Sequence, residues 1–176
     1  MLLLSRTSCL TVGAVTVLIG MLSGCAPTPD PTPSPTPAFA SEEEAFAAAE
    51  KVYRAYNDAV NADRIGEVGV DPSQYLSGNA LETHLDATQS LEESGSTVVG
   101  DGTVASFLGI SATTTTRPSQ VRADVCIDVS ATRVIDQSGA DVTPPDRPTR
   151  IRLEVEFIAG PDLLIADSQA AEDFTC

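Results

Sequence analysis

Few side chains in this 176-residue chain are equipped for chemistry, and their spacing narrows the choice further. The four cysteines are Cys9, Cys25, Cys126 and Cys176. A thiol can be a nucleophile, a metal ligand or half of a disulfide. None of the four lies in a C-x-x-C pair or beside a histidine, which argues against zinc and thiol redox catalysis. His84 is the only histidine and sits in Leu81-Glu82-Thr83-His84-Leu85, near Glu82 and Asp86. Its imidazole titrates close to neutral pH and could act as a base. A zinc site would need further ligands, and Ser-His-Asp catalysis would need a G-x-S-x-G elbow that the sequence lacks. A lone histidine on a surface helix is expected to be solvated. Asp136, Ser138, Asp141 and Asp146 bring oxygen ligands close together, yet they miss the D-x-[DN]-x-[DN]-G spacing of a calcium loop and read as acidic turns. No Gly-rich phosphate loop occurs. The residues therefore call for no metal and no cofactor.

Charge excludes a further class of function. Ten basic residues stand against 25 acidic ones, for a net charge of −15, and Lys51 is the only lysine. Such a surface repels nucleic acid and anionic headgroups.

The elements that must position these residues begin with a targeting pattern. Arg6 is the only charged residue in the first 24, and an apolar stretch runs from Cys9 to Met21. That is short of the roughly 20 residues a membrane span needs. Leu22-Ser23-Gly24-Cys25 follows, and then Pro27, Pro29, Pro31, Pro33, Pro35 and Pro37 alternate with Thr, Asp and Ser. Proline at every second position favours a polyproline II rod, about 34 Å long for residues 27–37. Its Thr-Pro repeats offer sites for O-linked sugars.

Leu22-Ser23-Gly24-Cys25 resembles the lipobox of bacterial lipoproteins. The aliphatic, small and Gly/Ala/Ser positions before the cysteine are all met. The resemblance implies cleavage of residues 1–24 as a signal peptide and a diacylglyceryl thioether on Cys25. It also implies a lipid anchor on the outer face of the cell membrane, with residues 25–40 as a stalk. The alternative is an uncleaved anchor helix or an ordinary signal peptide that ends by chance in Cys. If Cys9 leaves with the signal peptide and Cys25 carries lipid, Cys126 and Cys176 remain as an even pair in an oxidising compartment. We expect them to form a disulfide, worth about 4 kcal/mol in the loop-entropy picture.

Residues 41–176 suffice for one domain with one core. Ser41-Glu42-Glu43-Glu44 is a capping box. Ala45, Phe46, Ala49, Val52, Tyr53, Tyr56, Ala59 and Val60 make one apolar stripe, so a helix should run to about Ala62. Shorter helical pieces are expected at Ser73–Leu76 and Gly78–Glu93, the latter facing inward with Leu81, Leu85, Thr88 and Leu91. Beyond Gly95 the period changes to two. Ser96–Val99 reads as a short strand closed by a tight turn at Gly100-Asp101-Gly102. Val104, Ser106, Leu108, Ile110 and Ala112 read as one face of the next strand. Val121, Ala123, Val125, Ile127 and Val129 mark another, with Cys126 on its wet face. Ile151, Leu153, Val155 and Phe157 mark a third, and Leu163–Ile165 belongs to the last. Helices first and antiparallel strands after define an α+β fold with one wet sheet face.

This layout resembles the nuclear-transport-factor-2-like superfamily, in which a curved sheet wraps helices into a cone. Tyr56-Asn57-Asp58-Ala59-Val60-Asn61-Ala62-Asp63 is similar to the end of helix one in its ketosteroid-isomerase-like and polyketide-cyclase-like members. Val125-Cys126-Ile127-Asp128-Val129-Ser130, with Asp136, Gly139 and a terminal cysteine, is similar to lipoproteins of high-GC Gram-positive bacteria. The resemblance makes Tyr56 a pocket residue that could donate to an oxyanion. The segment where those isomerases carry their carboxylate base reads differently here, as Val68–Leu76, and offers no position for it. The expected function is therefore a non-catalytic ligand-binding or protein-interaction module, monomeric because its wet sheet face carries Arg122, Asp124, Asp128, Arg152, Glu154 and Glu156. The alternative is an isomerase, dehydratase or cyclase with its pocket near Tyr56.

Overall fold

The computed structural model describes residues 38–171 and residue 176. The expected signal peptide (residues 1–24), Cys25 and the Pro-rich stretch lie outside these described residues. Helix α1 (Glu42–Arg64) opens as its sequence predicts, with Ser41 Oγ accepting from the Glu44 N–H at 3.2 Å. Glu44 reaches back to the N–H of Ala40 at 2.7 Å, one residue before the cap. The helix runs two residues past Ala62, where Asn61 and Arg64 are held by the carbonyls of Gly102 and Gly100. A 3-10 turn (Pro72–Tyr75) leads into α2 (Gly78–Ser94).

Strands β2 (Thr103–Thr113), β3 (Ser119–Asp128), β5 (Arg150–Ala159) and β6 (Leu163–Ala170) form one antiparallel sheet in the order β2-β3-β5-β6. Both helices pack on one side of it. Ala45, Ala49 and Tyr53 of α1 and Ala80 of α2 share a core with Val121, Val125, Val155, Phe157 and Ile165. Among the described residues, no helix is long and apolar enough to cross a membrane. The α+β layering agrees with the sequence reading.

Three details depart from the sequence reading. The strand at 97–99 does not fold back on β2. As β1 (Thr97–Val99), it pairs with β4 (Arg133–Ile135) in a separate two-stranded sheet. Gly100-Asp101-Gly102 thus joins two sheets, and Gly100, at φ +81°, lies so close to the Ala131 carbonyl that no Cβ would fit.

The second departure concerns the inner face of α2, where Leu81 and Leu91 are half-buried as expected but Leu85 and Thr88 are exposed. Ala80 is buried, Leu81 and His84 are half-buried, and Leu85 is 53% exposed. Helix α2 touches the sheet mainly along β6.

The third lies in β2, where alternation breaks twice. Ala105 and Ile110 are extra residues without partners on β3: Val104 faces Ile127 and Ser106 faces Cys126, while Gly109 faces Ala123 and Ser111 faces Arg122. Each bulge shifts the two-residue period by one. Between them Phe107 and Gly109 turn inward, and Leu108 and Ile110 turn to solvent. Val104 and Ala112, outside the bulged stretch, keep the inward orientation that alternation gives them. Gly109 is required at its position, because a Cβ there would sit 2.4 Å from the ring of Phe46.

Candidate functional site

Tyr56 projects from α1 into the junction with α2. Its ring meets Tyr53 edge-on at 5.9 Å and His84 edge-on at 6.3 Å. Tyr53 continues to Phe157 at 6.5 Å, and Phe157 to Phe107 at 6.2 Å. An unbroken aromatic series thus runs from α2 through α1 into the sheet. His84 is correspondingly half-buried against Tyr56 and not simply solvated. Burial pushes the Tyr56 phenol above its ordinary value, opposed by the Arg64 guanidinium. Burial also raises Tyr53, helped by Tyr56 and opposed by its hydrogen bond to Ser168. Both phenols are therefore protonated near neutral pH and can donate a hydrogen bond but not accept a proton.

The rest of the helix-end motif is structural. Asn57 Nδ2 and Asn61 Nδ2 both donate to the Gly102 carbonyl, at 3.0 and 2.8 Å, and Asn61 Oδ1 accepts from the Gly102 N–H at 3.0 Å. Arg64 donates to the Gly100 carbonyl at 3.2 Å. Helical spacing puts these three side chains on one face of α1, where they clamp the link between the two sheets. Among the described residues the buried polar side chains are Ser119 and Thr132, so no carboxylate is buried beside Tyr56.

Cys126 and Cys176 form a disulfide across 50 residues, with Cα atoms 5.7 Å apart. Cys126 lies on the sheet face opposite the helices, as alternation predicts, but only 5% of it is exposed. Ala171 donates to the Arg152 carbonyl at 2.9 Å, which continues the pairing of β6 with β5 by one residue.

The acidic loop satisfies itself. Asp136 Oδ1 accepts from the Ser138 N–H and hydroxyl and from the Ala140 N–H, which lowers its pKa. Asp141 caps Thr143 and lies 3.6 Å from Arg133. Among the described residues no group of three or more His, Cys, Asp or Glu side chains is placed to hold a metal ion.

The helix-free face of the sheet is open to solvent. A pocket of about 380 Å³ opens there, lined by Ile110, Arg122, Asp124, Glu154, Glu156 and Asp167, among others. The sequence marked the charged β3 and β5 residues of this face. It did not mark Leu108 or Ile110, because bulges carry no residue signature, nor Asp167, which follows a further bulge at Ala166.

The architecture defines an α+β domain of two helices on a four-stranded antiparallel sheet. No known protein family matches the sequence, and no curated protein does. Among solved structures, the fold is similar to the intermembrane space region of the chloroplast protein ARC6. That likeness has 13% identity and a TM-score of 0.50, and covers 71% of this chain and 95% of that one.

Proposed function

We propose that the chain is a lipid-anchored, extracytoplasmic binding module of a bacterial cell surface. Cys25 would carry the lipid, the Pro-rich stretch would space the domain from the bilayer, and residues 41–176 would be a nuclear-transport-factor-2-like domain acting as a monomer. The lipobox and stalk support the address, and the Cys126–Cys176 bond fits an oxidising compartment.

The observation that carries the non-catalytic reading is the filled interior. Tyr53, Phe157, Ile165, Val121 and Val125 occupy the space between helices and sheet with at most 3% of any of them exposed. A catalytic cone would need a cavity there, with an acid and a base converging on it. The outer face, by contrast, is open and carries the pocket described above.

The test has two arms. Metabolic palmitate labelling should reach the chain, and Cys25→Ala should move it from the membrane fraction to the soluble one; retention of the variant in membranes would refute the anchor. A screen against lactones, steroid enones and hydrolase substrates should show no turnover. Turnover abolished by Tyr56→Phe would replace the binding reading with an isomerase, dehydratase or cyclase. The contact between Tyr56 and His84 is what favours that second reading, since it brings a phenol and an imidazole together at the junction of the two helices.

A further inference from the structure

We infer that the helix-free sheet face is a docking surface for a segment of a partner protein that carries apolar side chains interleaved with Lys or Arg. This rests on the binding-module reading and specifies its surface and partner chemistry. Three features converge on it.

The first is the pair of bulges in β2. They turn Leu108 and Ile110 out onto this face, 61% and 54% exposed, and Ile110 lines the pocket. Bulges of this kind commonly re-aim side chains beside binding sites.

The second is an unfavourable charge placement. Leu108, Asp124, Glu154 and Gln169 form one cross-strand row, and Ser111, Arg122, Glu156 and Asp167 the next. Asp124 thus stands directly opposite Glu154, and Glu156 opposite Asp167. Like charges so placed weaken a sheet. Arg152 offsets Asp124 at 3.7 Å. Arg122 stands opposite Glu156 on its other side, while the side chains that hydrogen-bond Asp167, from Asn79 and Gln169, are neutral, so each row keeps two carboxylates to one guanidinium. A cationic partner would relieve this repulsion.

The third is the pocket itself, which brings the apolar edge and the carboxylates to one concavity. A second copy of this chain would bring like charge to like charge, and an anionic bilayer would do the same. A basic, apolar-bearing protein segment satisfies all three features.

The full chain in zwitterionic nanodiscs should bind a labelled twelve-residue peptide of alternating Leu and Lys, read by fluorescence anisotropy. A Ser/Lys peptide should bind at least tenfold more weakly. So should the Leu/Lys peptide to L108S/I110S or to E154Q/E156Q, all at solvent-facing positions. Equal binding by these variants, or equal binding of the Ser/Lys peptide, would overturn the proposal. In intact cells, a photo-crosslinker at Ile110 should capture a different protein, and E154Q/E156Q should abolish the capture. Capture of a second copy would overturn the proposal. Capture only from a crosslinker at Val68, on the loop after α1, would refute this face yet leave the binding-module reading standing. Tyr56-dependent turnover would defeat that reading itself.

Discussion

The four-stranded sheet shows two faces built from the same strands and subject to opposite demands. Toward the helices, Val121, Ala123, Val125, Val155 and Phe157 are almost fully withdrawn from water. Toward solvent, the residues between them are Arg122, Asp124, Arg152, Glu154 and Glu156, and none of these charges is fully buried. The covered face is where stability resides, since burying a large apolar side chain contributes about 1.5–3 kcal/mol. Apart from the Cys126–Cys176 disulfide, the open face contributes little, because exposed ion pairs are worth about 0–1 kcal/mol. A surface that contributes little to folding is free to be shaped by recognition. The two faces can therefore be perturbed separately.

The largest effect should come from the covered face. Phe157→Ala removes the ring between Tyr53 and Phe107 and should destabilise the fold by about 3–5 kcal/mol in denaturant unfolding. Cys176→Ser strikes the one covalent tie on the open face, and should cost about 2–5 kcal/mol, or less if the unfolded chain retains structure. Gly109→Ala pushes a methyl group into Phe46 and should cost about 1–3 kcal/mol, with Phe46→Leu recovering part of the loss. Leu108→Ser, one residue away but on the other face, should alter stability by no more than about 0.5 kcal/mol. A loss comparable with that of Phe157→Ala would erase the distinction between the faces.

The smallest expected effect is electrostatic. Asp128 is held at about 2 by its hydrogen bonds to Ser130, with Arg150 adding to them. A folded-state pKa below the unfolded one means that the unfolded chain binds more protons. The stabilisation is therefore complete above roughly pH 4, the ordinary carboxylate range, and fades as pH falls toward about 2. Asp128→Asn should flatten that acid limb of the stability profile measured by thermal melts. An unchanged limb would show that other carboxylates set it.

Much of the covered face was legible in the sequence. Period-two alternation marked the buried residues of β3 and β5 correctly, because both strands are central and unbulged where they pair with each other. The Ser41 cap and the α1 stripe were legible for the same reason: a helix packed along its length shows its whole period. The edges were not. In β2 the alternation Val104-Ser106-Leu108-Ile110-Ala112 looks regular, and only the pairing with β3 shows where a residue is left over. The inner face of α2 was legible at Leu81 and Leu91 but not at Leu85, because an apolar leucine on a helix need not find a wall. The aromatic contact of His84 depends on two helices meeting, which no local pattern encodes. The role of Asn57 and Asn61 was hidden likewise, since their partner Gly102 lies more than 40 residues away.

The paired bulges make β2 behave like a reading frame with two single-letter insertions. The first shifts the phase and the second restores it, so Ala112 is read in the same frame as Val104. Loss of Ala105 or of Ile110 would shorten the strand and leave every remaining pairing intact. A single residue added between Ser106 and Gly109 would instead send the Phe107 ring outward or force a new bulge beside it. The strand can thus vary in length at two places while the alternation between them stays fixed.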